Sequence, residues 1–160
     1  MKLVVRGVML AGGLVLSSCE ACQPREIPEA CQNNNATPYD PVICPRISPI
    51  VLRPPLPGVE ETFAFEVNNE STTADLEIKE TRFQGRDTAV FYNLKRDKDV
   101  VRPGDQAVIQ FNYKQQDLTE KRAELVIVSN AKNYPELKID VVIREGVIRD
   151  AGTTDEDAGQ

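Results

Sequence analysis

The chain has 160 residues, with 19 Lys and Arg against 25 Asp and Glu, a net charge of −6, and neither His nor Trp. So acidic a chain lacks the basic footprint that phosphates demand, which argues against nucleic acid as a partner. Without His there is no Ser-His-Asp or Cys-His nucleophile set.

Lys2 and Arg6 open the chain, and residues 7–16 are uncharged and mostly apolar. A run that short has the length of a signal-peptide core, whereas a spanning helix needs roughly 20 apolar residues. Leu16-Ser17-Ser18-Cys19 follows directly and resembles the lipobox of bacterial lipoproteins. The resemblance implies that residues 1–18 are removed and that Cys19 is acylated on sulfur and becomes the mature N-terminus. Acyl chains contribute about 0.8 kcal/mol per buried CH₂, and two or more hold a protein stably on a bilayer. The residue after the cysteine is Glu20 rather than the Asp that marks inner-membrane retention in such proteins. The expected address is therefore the outer membrane, with the bilayer contacted through the lipid.

Residues 19–45 read as a disordered tether. Asn33-Asn34-Asn35 is polar, and Pro24, Pro28, Pro38, Pro41 and Pro45 favour extended, polyproline-like backbone. With Cys19 acylated, Cys22, Cys31 and Cys44 remain, an odd number for an oxidising compartment. One disulfide and one spare thiol follow. The sequence leaves the pairing open, with Cys31–Cys44 preferred because it keeps the closed loop away from the membrane-proximal end. A structural zinc site needs four thiolate or imidazole ligands. The remaining cysteines fall short, so no metal and no cofactor is expected.

From Ile47 onward the apolar period is two. Phe63, Phe65 and Val67 alternate with Ala64 and Glu66, and Leu76 and Ile78 with Asp75, Glu77 and Lys79. Ile109, Phe111 and Tyr113 alternate with Gln110 and Asn112, and Leu137, Ile139, Val141 and Ile143 with Lys138, Asp140 and Arg144. A period of two puts one strand face on a core and the other in water. Asn68-Asn69, Gln84-Gly85, Pro103-Gly104 and Ser129-Asn130 punctuate the runs. The spacing predicts strands near 47–53, 62–68, 74–83, 88–94, 106–114, 122–129 and 136–146. The expected core is Phe63, Phe65, Leu76, Ile78, Phe91, Ile109, Phe111, Leu125, Ile127, Ile139 and Val141. Arg53-Pro54-Pro55-Leu56-Pro57 has the look of an SH3 ligand, but reads as a proline-guarded edge strand entering a turn at Pro57-Gly58. Seven half-buried strands predict an all-β fold, a single seven-stranded antiparallel immunoglobulin-like sandwich over 46–148.

The order of motifs adds a resemblance. Phe63, Phe65 and Val67 run into Asn68-Asn69; Leu76, Ile78 and Phe91 follow. Val101-Arg102-Pro103-Gly104 then precedes an alternating strand ending at Tyr113, and Leu125 and Ile127 lead to Ser129-Asn130. This order resembles the ASH-type immunoglobulin-like domains (abnormal-spindle, SPD-2, hydin) and the related choice-of-anchor D domains of bacterial envelope proteins, over about 62–146. Gln115 and Gln116 stand where that family usually carries a Pro after the Tyr113 position. Residues 114–122 are more charged than its short Gly-containing turn. The family carries no established catalytic residues, so none is transferred.

Residues 149–160 hold several acids and no apolar period, and read as a disordered acidic tail. The domains expected are thus a signal peptide at 1–18, a tether at 19–45, the sandwich at 46–148 and the tail at 149–160. The expected function is non-catalytic protein–protein interaction with an unidentified envelope protein, with an architectural spacer as the alternative and an enzyme of unknown type as a remote one. No small-molecule substrate is expected.

Overall fold

The computed structural model describes residues 27–33 and 35–145. Cys19, Cys22 and the tail lie outside them. Among the described residues nine strands run in chain order: β1 (Ile43–Pro45), β2 (Ile50–Leu52), β3 (Glu60–Asn69), β4 (Leu76–Gln84), β5 (Phe91–Arg96), β6 (Val100–Val101), β7 (Gln106–Lys114), β8 (Lys121–Ser129) and β9 (Glu136–Ile143). They form a four-stranded sheet, β1-β3-β7-β5, and a five-stranded sheet, β2-β9-β8-β4-β6. The two sheets enclose one core, so the all-β sandwich expected from the period of two is present. Helical structure among the described residues is limited to two 3₁₀ turns, Glu29–Cys31 and Thr88–Val90.

All seven expected strands occur, and β7 matches its expected span to the residue. Two further strands correct the count. β1 and β6 hold three and two residues, too few to display a period. The wholly antiparallel expectation is also corrected, because β2 pairs in parallel with β9, Ile50 opposite Val141 and Leu52 opposite Ile143. The cause is a change of sheet. β1 lies antiparallel to β3 in one layer, the chain crosses at Arg46–Pro49, and β2 joins the other layer from the opposite side.

The core is organised on Phe111, which is fully buried. Its ring centroid lies 5.6 Å from Phe63, 5.1 Å from Phe83 and 6.0 Å from Phe91, the last two edge-on. Phe63 in turn meets Phe65 at 6.3 Å, so all five phenylalanines form one connected group. Such pairs contribute about 0.5–1.5 kcal/mol each beyond burial. Together they occupy the middle of a sandwich that has no Trp. Ten of the eleven expected core residues are buried. Phe63 is half-buried and packs against the rest, as does Phe83, which the alternation did not single out.

The tether is corrected for residues 27–45, which dock on the sandwich. Ile27, Cys31 and Val42 form a second small buried cluster. Cys31 and Cys44 are joined by a disulfide, with Cα atoms 5.5 Å apart. Prolines lack an N–H, but their carbonyls accept. Pro38 O takes the Thr72 N–H at 2.7 Å and the Thr72 hydroxyl at 2.9 Å, and Pro41 O takes the Lys132 N–H at 2.7 Å. Two buried asparagines complete the seam. Asn133 accepts the Ile43 N–H at 3.0 Å and donates to the Cys31 and Ile43 carbonyls. Asn69 donates to the Ala74 and Val101 carbonyls and accepts the Ser71 N–H at 3.1 Å. The extended, polyproline-like backbone expected from composition is also corrected: the segment carries a 3₁₀ turn at Glu29–Cys31 and a turn closed by Asp40 N–H to Thr37 O, and its carbonyls meet donors from the 69–74 and 129–133 turns.

Candidate functional site

Sheet edges are the first place to look for a protein-binding surface, because an unpaired strand can receive another. Here every edge is blunted. β1 is three residues and ends in Pro45; β2 is three residues between Pro49 and Pro54-Pro55; β6 is two residues. β5 is longer, but its register slips between Tyr92 and Lys95, where Asn93 takes a positive φ of 52°. Lys95 and Arg96 close the strand. None of the four presents a long, flat ladder.

One end of the sandwich offers something different. β7 finishes at Lys114, and the chain turns through 115–120 into β8. The neighbouring 57–58 turn is bonded to it, Gly58 N–H donating to Gln115 O at 2.9 Å. Gly58 holds φ +79°, a conformation that a side-chain-bearing residue adopts only under strain. On the far side stands the Thr88–Val90 turn. Asp87 fixes it to β8: its carboxylate accepts the Arg122 N–H at 2.9 Å, and its own N–H donates to Arg122 O. The Arg122 N–H, followed by Arg86, holds the Asp87 carboxyl below its ordinary range despite an opposing desolvation. Between these walls lies a cleft lined by Val90, Tyr92, Lys114, Gln115, Asp117 and Lys121.

Gln115 is the singular residue there. It is 2% exposed, and neither Oε1 nor Nε2 has a hydrogen-bond partner among the described residues. A buried polar group left unpaired costs about 1–3 kcal/mol. Three of the surrounding polar side chains, Lys121, Asp117 and Tyr92, are already engaged. Lys121 Nζ donates to Asp117 at 3.2 Å and to Thr119 Oγ1 at 2.7 Å. The Thr119 hydroxyl, then Lys121, lowers the Asp117 pKa. The Tyr92 hydroxyl donates to Glu60 at 2.6 Å, which raises its pKa. Beside the cleft the two bonded turns expose large apolar side chains: Leu56 at 75%, Val59 at 46% and Leu118 at 54%.

The arrangement sets a buried carboxamide beside an apolar rim. Ser129 and Lys132 have the spacing of serine–lysine hydrolases. Ser129, however, is buried with Oγ accepting the Ala131 N–H at 3.2 Å, whereas Lys132 is exposed. No group of three His, Cys, Asp or Glu placed to hold a metal occurs among the described residues. The lipidation residue Cys19 lies outside them, and the Cys31–Cys44 bridge sits in the N-terminal seam rather than at the cleft. The signal for the cleft was in the sequence as the Gln115-Gln116 departure from the resembled family, but nothing in it told of burial.

No protein-family model matches the chain, and no curated protein matches it in sequence. Its fold is similar to that of a protein of unknown function from Porphyromonas gingivalis W83, with a TM-score of 0.54 and 16% identity over 68% of this chain and 49% of that one. It is also similar to the secreted serine protease VesC from Vibrio cholerae, at 0.51 and 15% over 64% of this chain and 23% of that one. The ASH/PapD-like domain 7 of human CEP192 stands further off, at 0.46 and 12% over 88% of this chain and 98% of that domain. The chain thus spans about half of the first of these proteins and under a quarter of the second. At such identities the likeness is one of fold.

Proposed function

We propose that the chain is a lipid-anchored bacterial envelope protein whose immunoglobulin-like, ASH-type sandwich is a non-catalytic protein-interaction module on the outer membrane. The observation that carries the interaction reading is the end of the sandwich, where exposed Leu56, Val59 and Leu118 gather beside a cleft holding an unpartnered buried carboxamide. Exposed apolar groups gathered around polar ones are characteristic of protein contacts. The address rests on Leu16-Ser17-Ser18-Cys19. The ASH-type reading rests on the motif order from Phe63 to Asn130, and the two-sheet architecture is compatible with it.

Crosslinking in cells followed by mass spectrometry tests the interaction. One envelope protein should be captured reproducibly through residues near 56–59 and 115–121. Absence of any partner would favour the spacer, a reading to which the four blunted sheet edges also lend support. Turnover of an envelope substrate by the purified protein would overturn both. Metabolic labelling with a clickable fatty acid tests the anchor: the wild type should take up label and Cys19→Ala should not. A mature protein without label would sink the address.

A further inference from the structure

We propose that the sandwich stands on its N-terminal seam, so that the end carrying Leu56, Val59 and Leu118 faces away from the anchoring bilayer and meets a protein there. This deepens the interaction reading above and rests on it and on the anchor at Cys19. The strands set the two ends. β3 runs from Glu60, opposite Lys114, to Asn69, opposite Ile43. Its ten residues put about 30 Å between the seam and the apolar end. The 56–59 and 115–118 turns lie beyond Glu60 and Lys114, further still. Ile27 is 6% exposed and packs with Cys31 and Val42, so the chain is held at the seam from Ile27 onward. Eight peptide steps join Cys19 to Ile27. Even fully drawn out they span at most about 29 Å. The link is too short to run the length of the sandwich and let it invert onto the bilayer.

The same geometry selects the occupant of the apolar turns. The bilayer holding the anchor is out of their reach, and the acidic chain adds no attraction to anionic headgroups. A second copy on the same bilayer stands on its own seam. Its apolar turns point the same way and cannot meet these end to end. Residues 146–160 start at this end, after β9, but beyond Ile148 they hold four acids and no large apolar side chain. A protein approaching from the aqueous side meets none of these restrictions, and exposed Leu56, Val59 and Leu118 give it apolar surface to cover.

The test places the acylated full chain in lipid nanodiscs containing a gadolinium-chelate lipid and reads the relaxation of its backbone amides by NMR. The seam amides of Thr72 and Lys132 should relax at least about fivefold faster than those of Gly58 and Leu118, as a separation of about 30 Å demands. Equal rates at the two ends, or faster rates at Gly58 and Leu118, would overturn the orientation. Inserting about 20 Gly and Ser residues between Arg25 and Glu26 removes the limit on reach and should shrink the difference. A difference that survives the insertion would overturn the short link as its cause. In cells, p-benzoylphenylalanine in place of Leu118 should yield a protein adduct that Leu56→Asp in the same chain abolishes without altering the relaxation pattern. A phospholipid adduct, a dimer of the chain alone, an adduct within 146–160, or an adduct undiminished by Leu56→Asp would overturn the occupant. The readings fail separately. A chain without fatty-acid label removes the anchor, whereas a labelled chain with equal rates removes the orientation alone. Protein adducts formed only elsewhere on the chain remove this docking surface, and none anywhere removes the interaction reading.

Discussion

The side-chain amide of Asn133 donates to the carbonyl of Cys31 at 2.8 Å, joining positions 102 residues apart. The same side chain accepts the Ile43 N–H and donates to the Ile43 carbonyl. Truncation to Ala strands three buried backbone groups at once. Asn133→Ala should therefore lose about 2–4 kcal/mol in urea unfolding. Amide exchange should accelerate first within 27–45. An unchanged midpoint would show that the seam does not depend on this residue.

The disulfide makes a second, independent hold on the same segment. Non-reducing peptide mapping should recover Cys31 linked to Cys44, and a bridge to Cys22 instead would refute the pairing. The closed loop has a separation of 13 residues. Replacing both cysteines with Ser should lower stability by about 3 kcal/mol, while β3, β7, β8 and β9 keep their protection from exchange.

Phe111 is fully buried amid the other rings, whereas Phe63 is half-buried. Phe111→Ala should cost about 3–5 kcal/mol, enough to bring so small a domain near unfolding. Phe63→Ala should cost clearly less. Equal losses, read by urea denaturation, would mean that Phe111 is not the centre of the cluster.

Tyr113 is buried, and its hydroxyl donates to Glu61 at 2.6 Å. Burial first, then the hydrogen bond to that carboxylate, raises its pKa above the ordinary 10.0. The neutral phenol is thus favoured in the folded state. Its contribution is fully present below pH 10 and is lost as pH climbs through the raised folded value. Tyr113→Phe should flatten the decline of stability measured by urea unfolding between about pH 9 and 11. A variant with the same slope as wild type would contradict the assignment.

Strands β3, β7, β8 and β9 were legible because polar residues such as Glu66, Gln110, Lys138 and Asp140 alternate with apolar ones, marking both the strand and its inward face. β1 and β6 were not, since Ile43–Pro45 and Val100–Val101 complete no alternation. The direction of β2 was hidden for a different reason: a period of two is the same for parallel and antiparallel neighbours. Docking of 27–45 depends on Asn69, which in Asn68-Asn69 reads as a turn signal, and on Asn133, which no sequence pattern marks. The cleft was half legible. Gln115 stood out as a departure from the resembled family, but its burial arises only where Gly58, the 88–90 turn and β8 converge.

The Cys31–Cys44 bridge also decides how the protein meets mechanical load. Tension applied on the N-terminal side of Cys31 crosses the sulfur bond to Cys44 and bypasses residues 32–43. The hydrogen bonds that dock that loop on the sandwich are left slack. The pull arrives in β1 at Cys44, which with Pro45 pairs with β3, and must open that pairing before it reaches β2 and the opposite sheet.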